Sequence, residues 1–125
     1  MLEEIFSEFK DKIRVTKVDK CCYYLTLPFF FYNERESITL RYYEKDGDLY
    51  ISDDGAAARY LDNGINDINN YRDRVEIIKR KFGLQETDTH EFILEFPDEK
   101  PITLQLFTGF FIQAISVIAY LKLFQ

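Results

Sequence analysis

The spacing of apolar positions changes several times along this chain, and each change marks an element. Between residues 2 and 13, Leu2, Ile5, Phe6, Phe9 and Ile13 recur at steps of three and four with charge between them, which is the stripe of an amphipathic helix. Residues 22–27 and 37–44 turn aromatic and β-branched. In the second run Ile38, Leu40 and Tyr42 alternate with Thr39, Arg41 and Tyr43, the alternation of a half-buried strand. Lys45-Asp46-Gly47-Asp48 carries the Asp-Gly signal of a tight turn, and Leu49-Tyr50-Ile51-Ser52 resumes the alternation, so these strands form a hairpin.

The pattern breaks at Ser52-Asp53-Asp54-Gly55, after which Ala56-Ala57-Ala58-Arg59-Tyr60-Leu61 favours a short helix closed by Asn63-Gly64. Asn69-Asn70 offers a cap for a second helix, whose stripe of Ile68, Tyr71, Val75, Ile78 and Phe82 ends at Gly83. Arg72 with Glu76, and Glu76 with Arg80, sit at helical spacing for ion pairs. Phe92, Leu94 and Phe96 alternate again before Pro97, which predicts a late strand over residues 91–96. Residues 102–124 are the most hydrophobic stretch and long enough to span a bilayer. The spread of Gln105, Gln113, Thr103, Thr108, Ser116, Gly109 and Lys122 argues instead for a helix buried on most sides by protein or in a dimer, with no membrane partner.

The expected architecture is therefore one α+β domain over residues 1–125. It has an N-terminal helix, an antiparallel sheet of three to four strands, two central helices and a long apolar C-terminal helix across the sheet. The size of the chain, 125 residues, fits one domain, and 46% hydrophobic residues suffice for a core. A formal charge of -6 has the wrong sign for direct nucleic-acid or anionic-membrane binding and points to a basic or neutral partner. Cys21 and Cys22 are adjacent, so no disulfide framework is available, and they fall in an aromatic strand expected to bury them. Glu3, Glu4 and Glu8 crowd the start where a signal segment would be basic and then apolar, so a reducing cytoplasm is the expected location.

Two carboxylates at the end of a strand, Asp53 and Asp54, are the candidate chemistry. They suit a general base or a divalent-cation site for Mg²⁺ or Mn²⁺, as in a metal-dependent phosphohydrolase or nuclease. The competing reading is that one of them caps the helix beginning at Ala56 while Gly55 allows the reversal. Asp98-Glu99-Lys100 supplies the letters of a nuclease acidic-x-Lys triplet, but it lies between Pro97 and Pro101 in an expected turn. His90 is the only histidine, and no ligand spacing links it to the cysteines in a zinc site or a nucleophilic pair. It is read as a surface residue at the start of a strand. No glycine-rich phosphate loop is present. The aromatic tract Phe29-Phe30-Phe31-Tyr32 is followed by Asn33-Glu34-Arg35-Glu36, not by a basic groove, so it reads as core or as an exposed contact patch for another protein.

The order Leu27-Pro28-Phe29, Ile38-Thr39-Leu40, Leu49-Tyr50-Ile51-Ser52-Asp53-Asp54-Gly55, Asn63-Gly64-Ile65 and Arg80-Lys81-Phe82-Gly83-Leu84, with Gln113-Ala114 and Val117 near the end, resembles a known family. It is the domain of unknown function numbered eighteen twenty-eight, met in phages, prophages and Gram-positive bacteria. The resemblance covers roughly residues 22–122, with the strand-Asp-Asp-Gly turn its most specific element. After Pro28-Phe29 the chain departs from the family pattern, with Phe30-Phe31-Tyr32-Asn33-Glu34-Arg35 in place of an acidic-basic-polar run. The resemblance implies a fold and a phage or bacterial setting, and it transfers no activity. Together these readings give an expectation of a small acidic interaction module, needing no cofactor, that modulates a basic or nucleic-acid-binding host protein and has a surface for homodimerisation, with a Mg²⁺- or Mn²⁺-dependent hydrolase at Asp53 and Asp54 as the alternative.

Overall fold

The structure, a computed structural model, describes residues 14–96 and 103–123. The helix expected over residues 2–13 and the Asp98-Glu99-Lys100 turn lie outside the described residues.

Six strands form one antiparallel sheet, β1 (Arg14–Asp19), β2 (Cys22–Thr26), β3 (Thr39–Lys45), β4 (Asp48–Ser52), β5 (Gln85–Glu86) and β6 (Phe92–Glu95), in the order β1-β2-β3-β4-β6-β5. The expected three to four strands thus become six, because both edges went unread. Every residue of β1 is exposed, so burial imposes no alternation on it. With only two residues, β5 is too short to show one. Three helices complete the α+β domain: α1 (Ala56–Leu61), α2 (Arg72–Phe82) and α3 (Leu104–Ala119).

The hairpin forms as the Asp-Gly signal requires. Lys45 pairs with Asp48, and the two turn residues Asp46 and Gly47 take φ of 54° and 83°, the positive values of a primed turn that matches the twist of the strands. This register sets Arg41 opposite Ser52 and Tyr42 opposite Ile51, and Ile51 in turn lies opposite Leu94. Tyr42, Ile51 and Leu94 therefore share the face covered by helices, while Tyr24, Arg41 and Ser52 line up across the other.

The core fills the space between that covered face and the helices, with Leu40, Ile51, Leu61, Val75, Phe92, Phe107, Phe111, Ile115 and Ile118 buried. Phe96 meets Phe107 edge-on at 4.8 Å, which seats the start of α3 on the sheet. The expectation of a helix buried on most sides needs correction: Leu106, Phe110 and Val117 on one flank of α3 are exposed.

Before α2 the chain makes a 3-10 turn, Ile68–Tyr71, capped by Asp67 rather than by Asn69-Asn70. The Asp67 side chain accepts from the Asn69 N–H, and Asn70 returns a bond to the Asp67 N–H. Gly83, at φ 73°, ends α2 as its sequence predicts. Arg72 pairs with Glu76 at 3.0 Å as expected, whereas the second partner of Glu76 is Lys79, at 3.2 Å, and not Arg80. Arg72 and Lys79 also reach Glu86 of β5, at 2.7 and 3.1 Å, and His90 Nδ1 lies 2.7 Å from the same carboxylate. Burial pushes Glu86 up, but the hydrogen bonds from Arg72, His90 and Lys79 prevail and hold it at about 2.

Candidate functional site

The turn that leaves β4 is the most polar place in the interior. Ser52 and Asp53 are the two fully buried polar residues among the described ones. Asp53 extends the β4–β6 ladder: its N–H donates to the Phe92 carbonyl at 3.1 Å, and the Phe92 N–H donates back to Asp53 Oδ1 at 2.9 Å. The same oxygen accepts from the Gly55 N–H at 2.8 Å, and Oδ2 accepts from the Ala57 N–H at 3.0 Å. The carboxylate thus caps α1 from two residues ahead of the formal N-cap, Gly55, and ties that cap to β6. Burial pushes its pKa up to about 6, and the three backbone donors pull the other way.

The reversal itself is left-handed at two successive residues, Asp54 with φ 51° and Gly55 with φ 80°. Glycine adopts this freely, and aspartate is one of the few other residues that tolerate it. Arg59 of α1 reaches back so that its Nη1 donates to the Asp54 carbonyl at 2.6 Å. A Cβ on residue 55 would sit 3.2 Å from Arg59 Nη1, so the guanidinium would have to shift slightly, and the φ of 80° would itself strain most residues other than glycine.

Asp54 points away from the cap. Its Oδ1 lies 2.9 Å from Arg41 Nε, an ion pair without the alignment of a hydrogen bond. Arg41 also donates to Glu91 Oε1, as does the Ser52 hydroxyl, which in turn accepts the Asp54 N–H at 3.0 Å. Burial works against the Glu91 charge, but Ser52 and Arg41 hold its carboxyl below the usual range. Partial burial likewise opposes the Arg41 cation, and the two carboxylates hold it charged. The Tyr24 phenol, beside Asp54, is raised by burial and by that negative charge.

Of the two candidate carboxylates, Asp53 is therefore occupied by backbone donors and Asp54 by a guanidinium. Among the described residues no group of three or more His, Cys, Asp or Glu side chains is arranged to hold a metal ion. Arg41 and Glu91, which complete this cluster, were missed in the sequence. Arg41 was within reach, because a two-residue hairpin dictates its place opposite Ser52, but nothing local marks Glu91.

Two open clefts flank Arg59. One, of about 700 Å³, is lined by Asp54, Arg59, Asp62, Asp67, His90 and Glu91 among others. The second, of about 430 Å³, has Glu34, Glu36, Asp54 and Arg59 on its walls with Phe31 and Tyr60. The two clefts carry six carboxylates between them against Arg59 and His90, and only Asp54 and Glu91 are paired with Arg41. Beside the second cleft the aromatic tract divides. Phe31 is buried against Tyr60 and Tyr120, at ring distances of 5.1 and 6.0 Å, while Phe29, Phe30 and Tyr32 are exposed. The Tyr60 hydroxyl donates to the Tyr32 carbonyl at 2.7 Å and the Tyr32 N–H donates to the Tyr120 hydroxyl at 3.1 Å, so this loop is held in place.

The cysteines depart from expectation. Cys21 is exposed in the turn joining β1 to β2, and Cys22, the first residue of β2, is only half-buried; both are free thiols. His90 belongs to a tight turn, with φ 62°, and faces Glu86 rather than a thiol. Comparison with protein-family models, characterised proteins and solved structures finds no match.

Proposed function

We propose that the chain is an acidic protein-interaction module that receives a basic segment of a partner protein in the clefts around Arg59. The observation that carries this reading is the excess of carboxylates there: Glu34, Glu36, Asp62 and Asp67 line concave space whose walls carry one arginine, Arg59, and no lysine. Arginine or lysine side chains entering such space gain charge-assisted hydrogen bonds at little desolvation cost, and the field speeds encounter. Phe29, Phe30 and Tyr32, exposed on the adjoining loop, supply the apolar contact area that charge alone does not. The net charge of -6 agrees with a basic partner. The resemblance to a phage-associated family fits a host protein that itself binds nucleic acid, whose basic groove an acidic surface can occupy.

The opposing reading, a Mg²⁺- or Mn²⁺-dependent hydrolase at Asp53 and Asp54, would have to draw its ligand lone pairs from a helix cap and an ion pair. The test is a pull-down of the tagged chain from a bacterial lysate at low and high salt. It is run beside a variant carrying Glu34→Lys, Glu36→Lys and Asp62→Lys, which leaves the Asp67 cap intact. A stoichiometric basic protein, released by salt and lost in the variant, is the expected result. Capture that is indifferent to charge reversal at low salt would overturn the proposal.

A further inference from the structure

The flank of α3 that faces away from the core has a pattern of its own. Leu106, Phe110, Gln113 and Val117 fall at steps of four, three and four, the seam spacing of paired helices. Leu106 is 63% exposed, Phe110 40% and Val117 41%, and Gln113 is exposed between them. From residue 103 to residue 121 the chain has no Asp, Glu, Lys or Arg, in a protein with 30% charged residues. Gly109 stands beside the stripe although glycine is disfavoured within a helix; its φ is not positive, and a Cβ there would meet nothing within 4 Å. Nothing among the described residues requires it, whereas close approach of another helix would.

We infer that this flank is a homodimer interface in which α3 packs antiparallel against α3 of a second copy, about a two-fold axis beside Gln113. Three features select a second copy as the occupant. A two-fold interface must be self-complementary. Gln113 is so, because its amide carries both donor and acceptor and can pair with the same amide across the axis. The arrangement sets Phe110 of one copy beside Val117 of the other, twice over. An acidic protein repels its own copies over most of its surface, and an uncharged flank is where that repulsion is weakest. The exposed apolar side chains on the seam itself, Leu106, Phe110 and Val117, make a small apolar centre, below the roughly 800 Å² per partner of a standard interface, so the association is weak.

A bilayer is the other occupant such a surface can meet, since Leu104–Leu123 is long and apolar enough to cross one by length and composition. The opposite flank argues against it: Phe107, Phe111, Ala114, Ile115 and Ile118 are buried in the core, so the helix cannot enter lipid without unfolding the domain. None of the seam residues lines the clefts around Arg59, so the interface stands apart from the proposed partner site.

The experiment is sedimentation of the full chain over roughly 5 to 500 μM, the range in which weak association shows. A monomer–dimer equilibrium is expected, abolished by Phe110→Glu. It should be abolished equally by Gln113→Glu, an exposed position where folding is not at stake and which sets two like charges together. In a background of Cys21→Ser and Cys22→Ser, Gln113→Cys should oxidise to a covalent dimer. Leu106→Cys should not, because the axis holds its two copies about 20 Å apart along the helices. A monomer at every concentration, a dimer that survives Gln113→Glu, or equal cross-linking at both cysteine positions would each overturn the inference. So would a monomer that floats with phosphatidylcholine/phosphatidylglycerol vesicles.

Discussion

Replacing Asp53 by alanine tests the reading of that residue as a buried cap, because burial of the carboxyl makes the loss of stability depend on pH with a definite sign. The substitution leaves the Gly55, Ala57 and Phe92 N–H groups without their acceptor. Losing a helix cap costs about 1 kcal/mol, and each buried donor left unpaired about 1–3 kcal/mol. Against this, the variant no longer buries a charge. The Asp53 carboxyl titrates at about 6 in the fold against 3.8 in the open chain, so the folded state binds the proton more tightly. Stability from this group is therefore fully present below pH 3.8 and is lost as pH rises through 6, a swing of roughly 3 kcal/mol. The net loss in Asp53→Ala should be about 2–4 kcal/mol at pH 7.5 and larger by roughly 3 kcal/mol near pH 4. Urea unfolding of both chains at several pH values measures this directly, since every other titration is common to both and cancels. A gap that is constant with pH, or a variant as stable as its parent at pH 7.5, would refute the argument. A melting temperature raised by Mg²⁺ or Mn²⁺ in the parent alone would restore the metal reading.

Two further substitutions probe neighbouring features. Gly55→Ala places a Cβ 3.2 Å from Arg59 Nη1 at a φ of 80° and should cost about 1–3 kcal/mol in urea unfolding, with Gly55→Asn losing less. Glu86 titrates at about 2, below its open-chain value of 4.5, so its stabilisation is present above pH 4.5 and lost as pH falls through 2. Glu86→Gln should flatten that acid limb and lower stability at pH 7, where two cations lose their shared partner; an unchanged acid limb would assign it elsewhere.

What was legible in the sequence follows from how local each cause is. The Asp46-Gly47 turn dictates its own hairpin and, through the register, the placement of Arg41 against Ser52. Gly83 stops α2 by backbone conformation alone. β1 was invisible for the opposite reason: it buries nothing, and its pairing with β2 across Lys20 and Cys21 leaves no apolar period to read. The fate of the aromatic tract was open for want of distant information, since only Tyr60 and Tyr120 decide that Phe31 turns inward while its neighbours stay out. Glu91 joins Arg41 and Ser52 from far along the chain, and no spacing announces it.

The bond from the Phe92 N–H to Asp53 spans 39 residues and bears on how the protein emerges from the ribosome. The hairpin of β3 and β4 can close as soon as it is made, because its contacts are local. The carboxylate at its end then waits, buried by nothing and with one of its three donors not yet synthesised. Until β6 arrives, β4 is an unsealed edge, and a chain cut short before Phe92 would keep it so, offering its unpaired backbone to any passing strand.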